Sequence, residues 1–319
     1  MAVTLPDSML ARYERFSLYN SPYPAHDGGR AIDLYPGTLR DGRTTDAPSP
    51  VSGTVLETKN VRAPSKPYAP EHDHLILLEV DAPTGGGGFG ESKAVTETDG
   101  EGLVARILHV EPTVEAGDTV SAGDSLGTLV RAGFFAPWVD NHLHVGFRHP
   151  EQNHYRASGS LLLKIGPDVE LTPLEWDGTG TIVESGDTYA ILDSPTHPNP
   201  GVAFAGIRID GGRVLDGGLP HYDGGGVLGG RRALESGRAF ESDEPALETS
   251  AVSLNGDRLG IASGRTIAWD DVTVTVDGEP ITGLSLFCAR DATFGAKLIC
   301  PERSLEVGRT VRVRVHNRD

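Results

Sequence analysis

Lysine is nearly missing from this chain: Lys59, Lys66, Lys93, Lys164 and Lys297 are the only five in 319 residues. Arginine supplies the rest of 28 basic groups against 45 acidic ones, for a net charge of −17. So acidic a balance disfavours nucleic acid and anionic membranes as partners, since both need a concentration of positive charge. Aromatic residues are also scarce, at 6%. No apolar run reaches the roughly 18 residues that a membrane-spanning helix needs. The opening MAVTLPDSMLARYERF has no basic segment followed by an apolar one, so no secretory leader is read and a cytoplasmic location is expected. The two cysteines, Cys288 and Cys300, are expected as reduced, buried thiols, with pairing across a hairpin left open.

A long helical period is missing too. Glycine numbers 41 and proline 22, and short apolar runs alternate with Gly, Asp and Pro. The expectation is a mainly β protein of two domains, residues 1–165 and 166–319. One helix is predicted near the start, over residues 7–16, capped by Asp7 or Ser8. In the first half, strands are predicted at 31–34, 51–57, 75–80, 103–110, 139–148 and 161–165. The glycine tract 85–88 and the polar segment after it read as a long exposed loop. In the second half, strand-like pieces recur between turn signals such as Asp210-Gly-Gly and Asp277-Gly, as in a β-sandwich or small barrel. The polar stretch 234–248 reads as a solvated loop. The acidic surface with Arg in place of Lys looks like that of a protein from a salt-accumulating cytoplasm, such as a haloarchaeon's.

The chemistry-bearing residues gather in the first half. His142-Leu-His144 lies in an apolar run, and on a strand residues i and i+2 share a face. Two imidazoles side by side suit one metal ligand and one proton-handling group. Upstream, His26 and Asp33 flank a Gly-Gly turn, and His109 ends another apolar run. Each has a plainer reading: Asp33 as a turn cap, His26 as a surface residue, His109 as a satisfied core histidine. His72 and His74 form a second H-x-H, expected in an exposed loop, and His149 and His154 are expected at the surface. His197, His221 and His316 are isolated and read as surface or locally bonded. Phe134, Phe135 and Trp138 read as core or groove wall.

Taken in order, four blocks make the first half resemble the lysostaphin-type zinc metallopeptidases of the duplicated hybrid motif fold. They are His26-Asp-Gly-Gly-Arg-Ala-Ile-Asp33 with Ala47-Pro-Ser-Pro-Val-Ser-Gly-Thr-Val55; Arg106-Ile-Leu-His109-Val; Val114-Glu-Ala-Gly-Asp-Thr-Val-Ser-Ala-Gly-Asp-Ser-Leu-Gly127; and Asn141-His-Leu-His144-Val. The resemblance implies zinc, with His26, Asp33 and His144 as ligands and a fourth position for water. It implies His109 and His142 as the unliganded catalytic pair, and a peptide or peptide-like substrate. The second half lies outside it and is expected to be an accessory β domain. Six residues separate His26 from Asp33 where the family's commonest spacing is three, and Ile107 stands where a tyrosine is frequent. Two functions follow as expectations: a zinc-dependent hydrolase, a metallopeptidase or amidase using zinc-activated water, or a non-catalytic binding or regulatory module that keeps the fold.

Overall fold

A computed structural model of the chain describes residues 2–40, 44–82, 96–97, 102–229 and 249–317. The glycine tract 85–88, most of the polar segment after it and the stretch 234–248 lie outside the described residues. The chain is mainly β. It divides into two compact units: Met1–Phe16 with Tyr23–Val169, and Ser17–Pro22 with Glu170–Asp319. Among the described residues no helix is long and apolar enough to cross a membrane.

The first unit is built on an antiparallel sheet. Its strands run in the order Thr119–Val120, Gly53–Arg62, His72–Val80, Val104–Leu108, Leu143–Arg148, Ile32–Tyr35 and Arg15–Ser17. Strand alternation assigns the two faces different work. Ile32, Val145, Ile107 and Ile76 fall side by side in register, followed by Leu34, Leu143, Phe147, Ala105 and Leu78 on the same face. All nine are fully buried, so this face is core, each large side chain contributing about 1.5–3 kcal/mol. The opposite face carries the next row, Asp33, His144, Leu108 and Leu75. One register thus sends the apolar residues inward and the chemistry to the other side.

A smaller antiparallel sheet joins Asp46–Pro48, Ser125–Leu129 and Val110–Pro112. The doubled Ala-Gly-Asp sequence leading into it makes two like turns. Gly117 and Gly123 both sit at φ 98°, where glycine costs least. Asp118 and Asp124 then fold back to accept from the backbone N–H of Glu115 and Ser121, both at 2.8 Å. A parallel pair, Ala2–Leu5 with Leu162–Ile165, ties the start of this unit to its end.

Two sequence expectations are corrected here. The helix over 7–16 is a single turn, Asp7–Leu10, whose N-cap is Pro6 without a side-chain hydrogen bond; Asp7 and Ser8 do not cap it. The strand expected over 139–148 begins at Leu143, so His142 precedes it by one residue.

The second unit is organised on twelve strands in one antiparallel sheet, from Thr249–Leu254 at one end to Glu279–Ile281 at the other. Open sheets this wide curl. Here Asp257–Ser263 comes into contact with Thr310–Asn317, far from it in the strand order. Val272–Val276 pairs with Thr310–Asn317 so that Val274 faces Val315 and Val276 faces Val313, all buried. Asp277 and Gly278, at φ 52° and 87°, close the tight hairpin that follows. Glycine-rich strands serve ring packing. A Cβ on Gly226 would lie 2.3 Å from the Tyr19 ring, and one on Gly225 2.2 Å from Trp269. Asp216, fully buried, accepts from the Ser17 hydroxyl and from the N–H groups of Leu18 (2.7 Å) and Tyr19 (3.3 Å), anchoring Ser17–Pro22 in this unit. Cys288 and Cys300 are free and buried. His197 is buried and locally bonded, with its Nε2 3.1 Å from both Ala203 O and Ala289 O.

Candidate metal centre

His26 ends a short 3-10 turn, Pro24–His26. The chain then passes through Gly28 and Gly29, at φ 66° and 74°, before entering the Ile32–Tyr35 strand. These two left-handed residues take up the long spacer between His26 and Asp33. Asp33 is the direct cross-strand partner of His144. The result is a compact triangle of donor atoms. His144 Nδ1 lies 3.0 Å from Asp33 Oδ1, His26 Nε2 lies 3.1 Å from His144 Nδ1, and His26 Nε2 lies 3.2 Å from Asp33 Oδ1. A tetrahedral ion with bonds of about 2.0–2.2 Å sets its donors roughly 3.3–3.6 Å apart. The donor set suits such an ion, and each side of the triangle falls a few tenths of an ångström short of that spacing.

The electrostatics agree. Burial alone pushes the Asp33 carboxyl upward, but the imidazoles of His26, His142 and His144 outweigh it and hold the group well below the usual carboxylate range. Burial lowers His144 to about 3 and His142 to about 4. At neutral pH Asp33 is therefore a carboxylate and His142 and His144 are neutral imidazoles, the forms in which such groups bind metal.

His109 and His142 complete the cluster. The His142 ring lies 5.1 Å from that of His109, and the His109 ring 5.8 Å from that of His144. His142 donates from Nδ1 to the carbonyl of Asp140 at 2.8 Å, which leaves Nε2 facing Asp33 Oδ1 at 3.5 Å. Asp140 is held in turn by Arg15 at 2.5 Å, whose guanidinium lies 4.1 Å over the Tyr35 ring. His109 reaches the site by a backbone device. Strict alternation after Ile107 would place residue 109 on the core face. Instead the chain kinks at His109, at φ 71°, between the strands Val104–Leu108 and Val110–Pro112. Phe135 walls both of these histidines, its ring 5.0 Å from His109 and 4.6 Å from His142, and belongs to a cluster with Tyr35, Ala132 and Val139. Phe134 and Trp138 pack on the same cluster.

The five residues singled out in the sequence thus lie together. Residues 4–165 match the family described as "Domain of unknown function (DUF8155) N-terminal domain", and residues 172–316 match its C-terminal domain. The chain belongs to the DUF8155 family. No curated protein and no solved structure matches it. All five histidine and aspartate residues of the cluster fall in the DUF8155 N-terminal domain.

Other histidines stay outside the donor triangle. His72 and His74 lie on the strand His72–Val80, not in a loop, and His149 is buried rather than at the surface. The residue that matters in the second H-x-H is the one between the histidines. Asp73 is fully buried, and its Oδ2 is 2.6 Å from His109 Nδ1. Sequence reading passed over it, along with Asp140, Arg15 and Tyr35. A lone acidic residue at the head of an apolar strand was the available signal.

Proposed function

We propose that the DUF8155 N-terminal unit is a zinc-dependent hydrolase of the lysostaphin type, acting on a peptide-like bond, with His26, Asp33 and His144 as the zinc ligands. The observation that carries this reading is the donor triangle, with sides of 3.0–3.2 Å, beside two further imidazoles that are not part of it. Two imidazoles and one carboxylate leave a coordination position open, as catalytic rather than structural zinc sites do. When bound, the ion would bring the pKa of a water ligand to about 7 and polarise the scissile carbonyl.

The chain's own residues supply the rest. His109 serves as the base: its Nε2 takes a proton from the attacking water as the water oxygen bonds to the carbonyl carbon and the π pair moves onto the carbonyl oxygen. The same proton passes to the leaving nitrogen as the C–N bond breaks. His142, held by Asp140 and low in basicity, positions the water through its free Nε2. Phe135 and Tyr35 exclude bulk water from the side of these two rings.

Elemental analysis of protein purified in high salt, without chelator or affinity tag, tests the reading beside His144→Ala. About one zinc per chain, lost in the variant, together with hydrolysis in a peptide and amide panel, is the expected result. No metal in either protein after zinc is added back overturns it. Zinc without hydrolysis would identify a binding module built on the same site.

A further inference from the structure

The mechanism needs one nitrogen of His109 bare and aimed into the site, yet a neutral imidazole can carry its proton on either nitrogen. We propose that Asp73 is a positioning residue that locks His109 in the tautomer protonated at Nδ1, leaving Nε2 as the base; this rests on the hydrolase reading above.

Geometry comes first. Asp73 Oδ2 stands 2.6 Å from His109 Nδ1, and Asp73 Oδ1 accepts from the His74 N–H at 2.8 Å. The carboxylate is fully buried, so these partners, rather than water, satisfy it. Burial pushes the Asp73 carboxyl up, but the His109 imidazole and the His74 N–H bring it below its ordinary value. An ionised carboxylate only accepts hydrogen bonds, so the proton of the short contact lies on Nδ1. Nε2, across the ring, then carries the lone pair on the side away from Asp73. The rings of His142 and His144 lie 5.1 and 5.8 Å from that of His109.

The backbone supports a functional rather than a merely structural pair. A non-glycine residue in the left-handed region costs about 1–2 kcal/mol. A histidine that followed the alternation would avoid that cost and turn toward the core. The kink at His109 gives up this saving, with Nδ1 held against a buried carboxylate and the ring 5.8 Å from that of His144. Such strain is commonly retained where a side chain must be aimed. When His109 accepts a proton, Asp73 faces the new imidazolium and stabilises it. The arrangement is carboxylate, imidazole, reacting centre, with the carboxylate never touching substrate.

The tautomer is directly readable. In protein labelled with 15N-histidine, long-range 1H–15N correlation spectra report which ring nitrogen carries hydrogen, and His109→Gln assigns the signals. Wild-type protein at neutral pH is expected to show His109 protonated at Nδ1 and bare at Nε2. In Asp73→Asn, whose amide can donate to Nδ1, and in Asp73→Ala, the Nδ1-protonated form is expected to be lost in whole or in large part. Zinc per chain stays as in wild type, since Asp73 is no ligand. Wild-type His109 protonated at Nε2 overturns the proposal, and so does an unchanged tautomer in both variants. The wild-type spectrum decides even if neither variant folds. Absence of zinc from wild-type protein would sink the hydrolase reading on a separate measurement, with the tautomer result still standing.

Discussion

Zinc should stabilise one half of this molecule and leave the other alone. The perturbation is chelation followed by zinc addition, in wild type and in His144→Ala. Because the three donors already lie within 3.2 Å of one another, little reorganisation opposes binding, and nearly all the binding free energy appears as stability. At free zinc about a thousandfold above Kd, the gain is about 4 kcal/mol. The first unit has roughly 160 residues, a size at which each kcal/mol moves Tm by about 2–4 °C. Its thermal transition should therefore rise by roughly 8–16 °C with zinc. The donor triangle has no member in the second unit, whose transition should not move. Differential scanning calorimetry with chelator and with zinc reads both. An equal shift in His144→Ala, or no shift in wild type, would refute the reasoning.

Three further outcomes follow from single residues. The left-handed backbone at His109 tolerates Asn better than a β-branched side chain, so His109→Val should be less stable than His109→Asn by about 1–2 kcal/mol in urea titrations; equal midpoints would show that the kink carries no strain. Asp216→Ala strands three buried donors and should cost about 3–5 kcal/mol in the unfolding of the second unit, with Asp216→Asn keeping part of it. Burial lowers His221 to about 4, so the folded unit refuses a proton that the unfolded chain takes up below about 6.5. Its stability should be complete above pH 6.5 and fall by about 3 kcal/mol on acidification to pH 4, and His221→Gln should flatten that slope.

The candidate site was legible because histidine and aspartate side chains stand out against apolar strands, even though His142 falls one residue before the strand that carries His144. What could not be read was pairing. Asp33 meets His144 across a register joining residues more than a hundred positions apart, and no local spacing encodes that. Ala2–Leu5 escaped notice for the same reason, its partner being Leu162–Ile165. Within the helix expected over 7–16, Met9, Leu10, Tyr13 and Phe16 are buried. Tertiary partners claim the segment differently: Tyr13 donates its hydroxyl to Pro48 O at 2.7 Å, and the Glu14 N–H bonds Tyr35 O at 3.0 Å, so the helix stops after one turn. In the second unit, glycine interrupts the apolar pattern of Val214–Leu219 and Gly224–Leu228. They are strands whose bare backbones make room for Tyr19 and Trp269. His109 turned toward the site through a single backbone angle, which no pattern of hydrophobicity records.

The placement of Ser17–Pro22 in the second unit has a consequence for how this protein is made and inherited. The chain enters the second unit, leaves it, and returns only after Val169. A ribosome therefore releases Ser17, Leu18 and Tyr19 long before Asp216, the group that receives their hydrogen bonds, has been synthesised. The second unit finishes folding around a segment translated near the beginning. A gene fragment starting at residue 170 would encode that unit with Asp216 deprived of those three donors. The two halves are thus poorly suited to being shuffled as separate cassettes, and selection has a physical reason to transmit them as one piece.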